Sequence, residues 1–337
     1  VKRLRDAGAI VAGKTVTTEF AHRDPGATAN FWDTSRTPGG SSSGSCSAVA
    51  AGMVHIALGT QTIGSVGRPA AFCGVCGVKP SFGRLSSEGV KIYSQTIDTA
   101  GFFTPDVVGM QHVAKVGMDS WNAARVESAS SSSPVLGVPE GPYLEAFEPQ
   151  ALGAFEECLA LIIKSGIEVR RVKGVFIDFE ELVTSHVQLT DGEWARTLRD
   201  VWTTHGSLFR AQTAMQMIKA LDYDDDLLER LRKSPQTLRE EVEAKMEEAK
   251  IDLWVTPGTI QGIAPETLLS TGDSRGQLPW SHSGHPTLSI PAGWSSSTPK
   301  PLPASLQLTA RFGQDEELLA WGAQLESLGI ADSKLSI

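Results

Sequence analysis

Two glycine- and serine-rich turns on either side of a helix built almost entirely from small residues constrain this chain more than any other feature. Residues 38–45 read Pro-Gly-Gly-Ser-Ser-Ser-Gly-Ser, and residues 59–69 read Gly-Thr-Gln-Thr-Ile-Gly-Ser-Val-Gly-Arg-Pro. Between them, Cys-Ser-Ala-Val-Ala-Ala-Gly at residues 46–52 predicts a helix so short of bulk that neighbouring backbone can lie close against it. Gly39 and Gly40 open backbone angles closed to other residues directly before Ser41. In the second turn, Gly64 and the small neighbours of Ser65 let successive N–H groups converge on an oxygen, as in an anion-binding nest. A Gly/Ser tract standing alone reads as readily as a flexible linker. This one runs straight into an Ala/Val helix and an apolar stretch, residues 56–60, that predicts a buried central strand ending at the second turn.

A serine hydroxyl is a weak nucleophile at its free pKa and needs a base within reach and donors for the oxyanion it creates. Two serine-bearing turns bracketing one helix supply hydroxyls and donors together. Other chemistries fit less well. Thirty basic against 39 acidic side chains leave a net charge of −9, which argues against a nucleic-acid or anionic-membrane surface. No apolar stretch reaches the ~18 residues of a membrane span. Four cysteines, Cys46, Cys73, Cys76 and Cys158, are too few for a disulfide scaffold and make a reducing cytoplasm the default expectation. Cys73 and Cys76 have zinc-knuckle spacing, but only His282 and His285 could complete a site, so metal is the poorer reading.

Further along, residues 70–80 read Ala-Ala-Phe-Cys-Gly-Val-Cys-Gly-Val-Lys-Pro, residues 98–103 Asp-Thr-Ala-Gly-Phe-Phe, residues 252–257 Asp-Leu-Trp-Val-Thr-Pro, and residues 284–293 Gly-His-Pro-Thr-Leu-Ser-Ile-Pro-Ala-Gly. With the two turns, these resemble the amidase signature family, whose members cut carboxamides to acid and amine or ammonia with a Ser-Ser-Lys triad. The resemblance covers about residues 1–327 and is thin between residues 106 and 251. It implies an α/β fold with a large mixed, mostly parallel central sheet covered by helices on both faces. It also implies one domain over residues 1–337: a signature core at 1–130, a variable helical substrate-side region at 131–250, and the C-terminal part of the core at 251–337.

By the same resemblance Ser65 is the nucleophile that forms the acyl enzyme, Ser41 the relay that follows a cis Gly40-Ser41 bond, and Ser42 its hydrogen-bonding support. The N–H groups of Thr62, Ile63, Gly64 and Ser65 form the oxyanion hole. The pattern departs from the commonest one at Gln61, where Asp is frequent, at Ile63, where Gly is frequent, and at Arg68, one place late. No metal or organic cofactor is implied. The expected partner is a small-molecule amide, with neither nucleic acid nor membrane involved and a homodimer left open. A relative of the glutaminase component of the tRNA-dependent amidotransferase is the less favoured member, because nothing in the chain marks a docking surface.

The family's catalytic lysine lies on a segment well upstream of anything matched here and has no counterpart. The chain therefore reads as N-terminally incomplete or as a relative that has lost its base. Lys14 aligns with a different family lysine, at the end of a short buried strand expected at residues 9–12, and reads as structural. A second hydrolase reading uses the formal Gly-x-Ser-x-Gly at residues 40–44, with Ser42 attacking and His285 and Asp273 as partners. A third is an inactive amidase-like binding protein.

Elsewhere the pattern predicts a loop at residues 21–37 and a helix from residue 107. Five serines in residues 128–133 predict an exposed linker. Phe147, Ala151, Phe155, Leu159 and Ile162 mark an amphipathic helix, and residues 179–250 are helical and charged, with Trp194, Trp202 and Tyr223 as core or pocket aromatics.

Overall fold

Nine strands form in the computed structural model, which describes residues 1–337. They are β1 Ala57–Gln61, β2 Cys76–Lys79, β3 Thr99–Thr104, β4 Leu136–Glu140, β5 Val169–Lys173, β6 Leu253–Pro257, β7 Thr287–Ser295, β8 Pro303–Ala310 and β9 Lys334–Leu335. All belong to one sheet, ordered β1-β3-β2-β7-β8-β6-β4-β5, with β9 beside β7. The middle of the sheet is its most apolar part: all eight residues of β8 are buried, and Leu288, Ile290, Leu306 and Leu308 join a core of 36 residues.

Helices cover both faces. Val78 and Leu288 are paired neighbours, and Leu288 lies against Gly322 of the helix Asp315–Ser327. The adjacent pair, Gly77 and Ser289, points the other way, where a Cβ on Gly77 would sit 2.6 Å from Ala70 of the helix Gly67–Cys73. The expected helix between the serine turns spans Ser43–Ala50.

The mixed sheet with helices on both faces is as expected, but its prevailing sense is antiparallel. β1-β3, β2-β3, β2-β7, β6-β8 and β7-β8 run antiparallel, and only β4-β5, β4-β6 and β7-β9 run parallel. Parallel neighbours need long crossover connections, and the short link here between β7 and β8, residues 296–302, favours hairpin-like reversal.

β1 is also not central. It pairs only with β3 and forms a sheet edge. An edge presents unpaired backbone groups, and here the signature helix covers them: Ser45 Oγ donates to the Leu58 carbonyl at 2.7 Å, and the Thr60 N–H reaches Ser42 Oγ at 3.4 Å.

Residues 9–12 are not a strand. Ile10 is 93% exposed and lies along no sheet neighbour. The chain that follows is tied to the first serine turn instead, through Thr17 Oγ1 and the Thr18 N–H to the Ser41 carbonyl and the Gly44 N–H to the Val16 carbonyl. Half of the serine-rich linker is likewise helical, since the helix Ala123–Ser130 continues into it.

β2 and β3 come together tightly because neither Gly77 nor Gly101 has a side chain, and a Cβ on Gly101 would collide with the Val78 carbonyl. Gly101→Ala is therefore expected to lower stability by about 1–3 kcal/mol. Urea unfolding followed by circular dichroism measures this, and an unchanged midpoint contradicts the packing argument.

Candidate active site

The first turn enters the signature helix with Gly39 at φ 78° and a cis peptide bond at Gly40-Ser41, the isomer that the resemblance implies. Both glycines are needed for close approach. A Cβ on Gly39 would lie 2.8 Å from the Pro69 Cα, and one on Gly40 would lie 2.7 Å from Thr271. Pro69 lies in the first turn of the helix into which the second serine turn runs, so the two serine segments touch through backbone. Arg68 closes the contact: its guanidinium donates to the Gly40 carbonyl at 2.7 Å and to the Gly272 carbonyl at 2.6 Å. Burial pushes the Arg68 pKa down to about 10, which leaves it charged at neutral pH.

Ser41 and Ser42 are buried, while Ser65 and Ile63 are half-buried at the mouth of the second turn. Ser42 Oγ is engaged by Thr60 of β1, which gives it a place at the helix start. The Ser41 carbonyl is held by Thr17, Thr18 and Ser43, so the backbone carrying this hydroxyl is fixed from three sides.

The second turn leaves β1 at Gln61 and becomes the helix Gly67–Cys73. Its carbonyls are occupied, that of Ile63 by Ser281 and that of Gly64 by the Arg68 N–H. The N–H groups of Ile63, Gly64 and Ser65 donate to no group of the protein, which is a fit for an incoming anion or developing oxyanion. A Cβ on Gly64 would sit 2.7 Å from Gln277 Oε1, so any larger residue requires the buried Gln277 side chain to move. The Thr62 hydroxyl is already engaged, donating to Asp98 Oδ1 at 2.5 Å.

The Ser42, His285 and Asp273 arrangement is not assembled. His285 Nδ1 pairs with Ser283 at 2.7 Å, burial pushes its pKa down to about 3, and Asp273 binds Arg275. No strand precedes Ser42, so the elbow that such a hydrolase needs is missing. The cysteine pair diverges as well: Cys73 Sγ points at the Pro38 carbonyl and Cys76 Sγ at Glu326.

Neither Lys14 nor Lys79 is hydrogen-bonded to a serine of the two turns. Lys14 is exposed and lines a cavity of about 970 Å³ that also contains Val16, Thr17, Ser42, Tyr93 and Trp194. Lys79 is fully buried at the end of β2, and burial pushes its pKa down to about 7. Its ammonium is taken up by the Pro80 and His285 carbonyls at 3.0 and 2.6 Å and ties β2 to the start of β7. Sequence reading missed Lys79 and Ser281 because neither lies in a serine turn. The signals were the motif at residues 70–80, which ends in Lys79-Pro80, and Trp280, four residues before the Gly-His-Pro run.

The family profile described as Amidase matches residues 1–319. The chain belongs to the amidase family. Among curated relatives, a glutamyl-tRNA(Gln) amidotransferase subunit from Synechococcus sp. is 29% identical over 371 aligned positions, spanning 94% of this chain and 74% of that protein. The corresponding protein from Syntrophobacter fumaroxidans is 36% identical over 192 positions, spanning 51% of this chain and 39% of the relative. The matched part is thus about two fifths of that relative's length. Among solved structures, one described as an amidase has a TM-score of 0.82 at 29% identity and covers 97% of this chain and 76% of its own. A 6-aminohexanoate cyclic dimer hydrolase solved with its substrate has a TM-score of 0.82 at 25% identity and covers 97% and 77%.

Asp98 is the carboxylate bonded to Thr62 of the second turn. Burial raises its pKa from 3.8 to about 6, against the opposing hydrogen bonds from Thr62 and Tyr93. Because the folded state holds this proton more tightly, the stabilisation belongs to the protonated form. It is fully present below pH 3.8 and is lost as pH rises through about 6. Asp98→Asn should therefore flatten the dependence of stability on pH between those values and gain on the parent protein above pH 6. Urea midpoints measured across the range test this, and parallel curves would rule it out.

Proposed function

We propose that this chain carries the acyl-transfer machinery of a carboxamide hydrolase. Ser65 attacks the amide carbon and forms the acyl enzyme. Its proton passes to Ser41 and on to a neutral lysine outside these 337 residues, while the N–H groups of residues 62–65 hold the oxyanion. The proton then returns along the same path to the leaving nitrogen, the C–N bond breaks, and water releases the acid.

The observation that carries this reading is the run of three backbone N–H groups, at Ile63, Gly64 and Ser65, with no acceptor in the protein and a half-buried serine at its end. Donors so placed cost no reorganisation when charge develops, and one of them is worth about 10²–10³ in rate. Thr62 contributes through its backbone N–H alone, because its hydroxyl is committed to Asp98. Ser42 supports the turn rather than the chemistry.

The substrate is a small carboxamide. A glutaminase role inside an amidotransferase is a second reading, favoured by the curated relatives, which are components of such an enzyme.

The test is a fluorophosphonate probe applied to this chain and to one extended upstream. The extended protein should be labelled at Ser65, with at least 10³-fold slower labelling of the present chain, as expected when a triad member is missing. Ser65→Ala should abolish labelling and Ser42→Ala should spare it. Labelling at Ser42, or its loss in His285→Ala, overturns the assignment. Ammonia release from glutamine, compared with release from simple amides, separates the two substrate readings.

A further inference from the structure

Gln61 and Ser281 form a buried clamp beneath the second turn, and the atoms involved allow only one arrangement of protons. Gln61 Oε1 accepts from the N–H groups of Val66 and Gly67 at 2.8 and 2.9 Å, which fixes the oxygen end of the amide. Its Nε2 therefore faces Ser281 and donates to that hydroxyl at 2.9 Å. The hydroxyl has a single proton, and it goes to the Ile63 carbonyl at 2.6 Å. Both side chains are buried, so no water competes for these bonds.

The consequence lies one atom further on. The Ile63–Gly64 peptide is planar and trans, so a carbonyl drawn towards Ser281 sends the Gly64 N–H the opposite way. Gly64 has no Cβ to resist a flip of that peptide, so its orientation depends on what holds the carbonyl.

Ser281 itself is held firmly. It lies in the five-residue helix Leu278–His282 beside Trp280, which is fully buried. The Trp280 ring meets Phe176 at 5.0 Å and donates through Nε1 to the Tyr143 hydroxyl at 3.1 Å. The anchor thus comes from a separate aromatic core, more than 200 residues along the chain from the turn it orients.

We propose that Ser281 is a positioning residue. By holding the Ile63 carbonyl it aims the Gly64 N–H into the oxyanion site, and Gln61 sets the direction of the hydroxyl proton that does so. This rests on the acyl-transfer reading for its kinetic consequence, but not for its structural one.

The experiment has two arms. In crystals of the extended protein, Ser281→Ala should turn the Ile63–Gly64 peptide or split it between two orientations, while Ser281→Thr keeps it as in the parent. The same peptide orientation in Ser281→Ala overturns the inference, whatever the kinetics. In solution, Ser281→Ala should lower kcat about 10–100-fold with KM within about threefold, and Ser281→Thr should restore it. Phenylboronic acid bonds through boron to the serine oxygen, the serine proton passing to the base, and places a tetrahedral oxyanion in the hole. Its Ki should rise in step with the loss of kcat.

A fall in kcat with the boronate Ki unchanged means a merely structural effect and overturns the proposal. Should Ser281→Ala fold poorly, Ser281→Cys, with a weaker donor, carries the same comparison, and intermediate values are expected. Failure of the fluorophosphonate to label Ser65 in the parent protein defeats the acyl-transfer reading, and the crystallographic arm still decides the clamp.

Discussion

The contact on which the rest of this structure depends is the meeting of the two serine turns through backbone, with Arg68 bonded to the carbonyl of Gly40. A guanidinium buried without a carboxylate in direct contact is destabilising unless its donors are used. Arg68 uses its two terminal nitrogens on the Gly40 and Gly272 carbonyls, while its Nε stays without a partner, and this brings the first turn, the second turn and the loop before the helix Leu278–His282 to one point. Gly39 obeys the same constraint, since a methyl group there meets the Pro69 backbone, and at Gly64 a methyl group would displace the Gln277 side chain. Losing either the cation or these glycines separates the parts whose proximity gives the site its character.

Around that contact the sheet performs two separate tasks. Its centre, β7 and β8, supplies the apolar core. Its edge, β1, delivers the second turn. Placing a functional turn on an edge leaves backbone groups open, and the signature helix answers with the hydroxyls of Ser42 and Ser45. The serine content of the first turn is therefore not all chemical. Ser42, Ser43 and Ser45 are structural hydrogen-bonding groups, and Ser41 differs from them in that its hydroxyl is not committed to a protein partner.

Electrostatics divide the site in the same way. Burial pushes Asp98 up and Lys79, His282 and His285 down, which favours the neutral form of each. Arg68 keeps its charge. Beneath the second turn the uncharged pair Gln61 and Ser281 does the hydrogen bonding, and Arg68 is the fixed cation at the junction of the turns.

The family, both serine turns, the small-residue helix and the helical character of residues 179–250 could be read from the sequence, because each depends on local composition: glycines where backbone must approach, small residues where a helix must pack closely, apolar periodicity where a face is buried. The sense of the sheet, the edge position of β1 and the failure of residues 9–12 to form a strand could not, since strand pairing depends on which segment arrives alongside. An apolar tetrapeptide looks the same with or without a neighbour. Ser281 and Lys79 escaped notice for a related reason, as their contacts lie with partners about 200 residues away or more. The sequence by itself determined which residues could make a serine site. Only the tertiary structure decided which hydroxyls and N–H groups are already taken, because a hydrogen bond is made or left open by geometry and not by residue type.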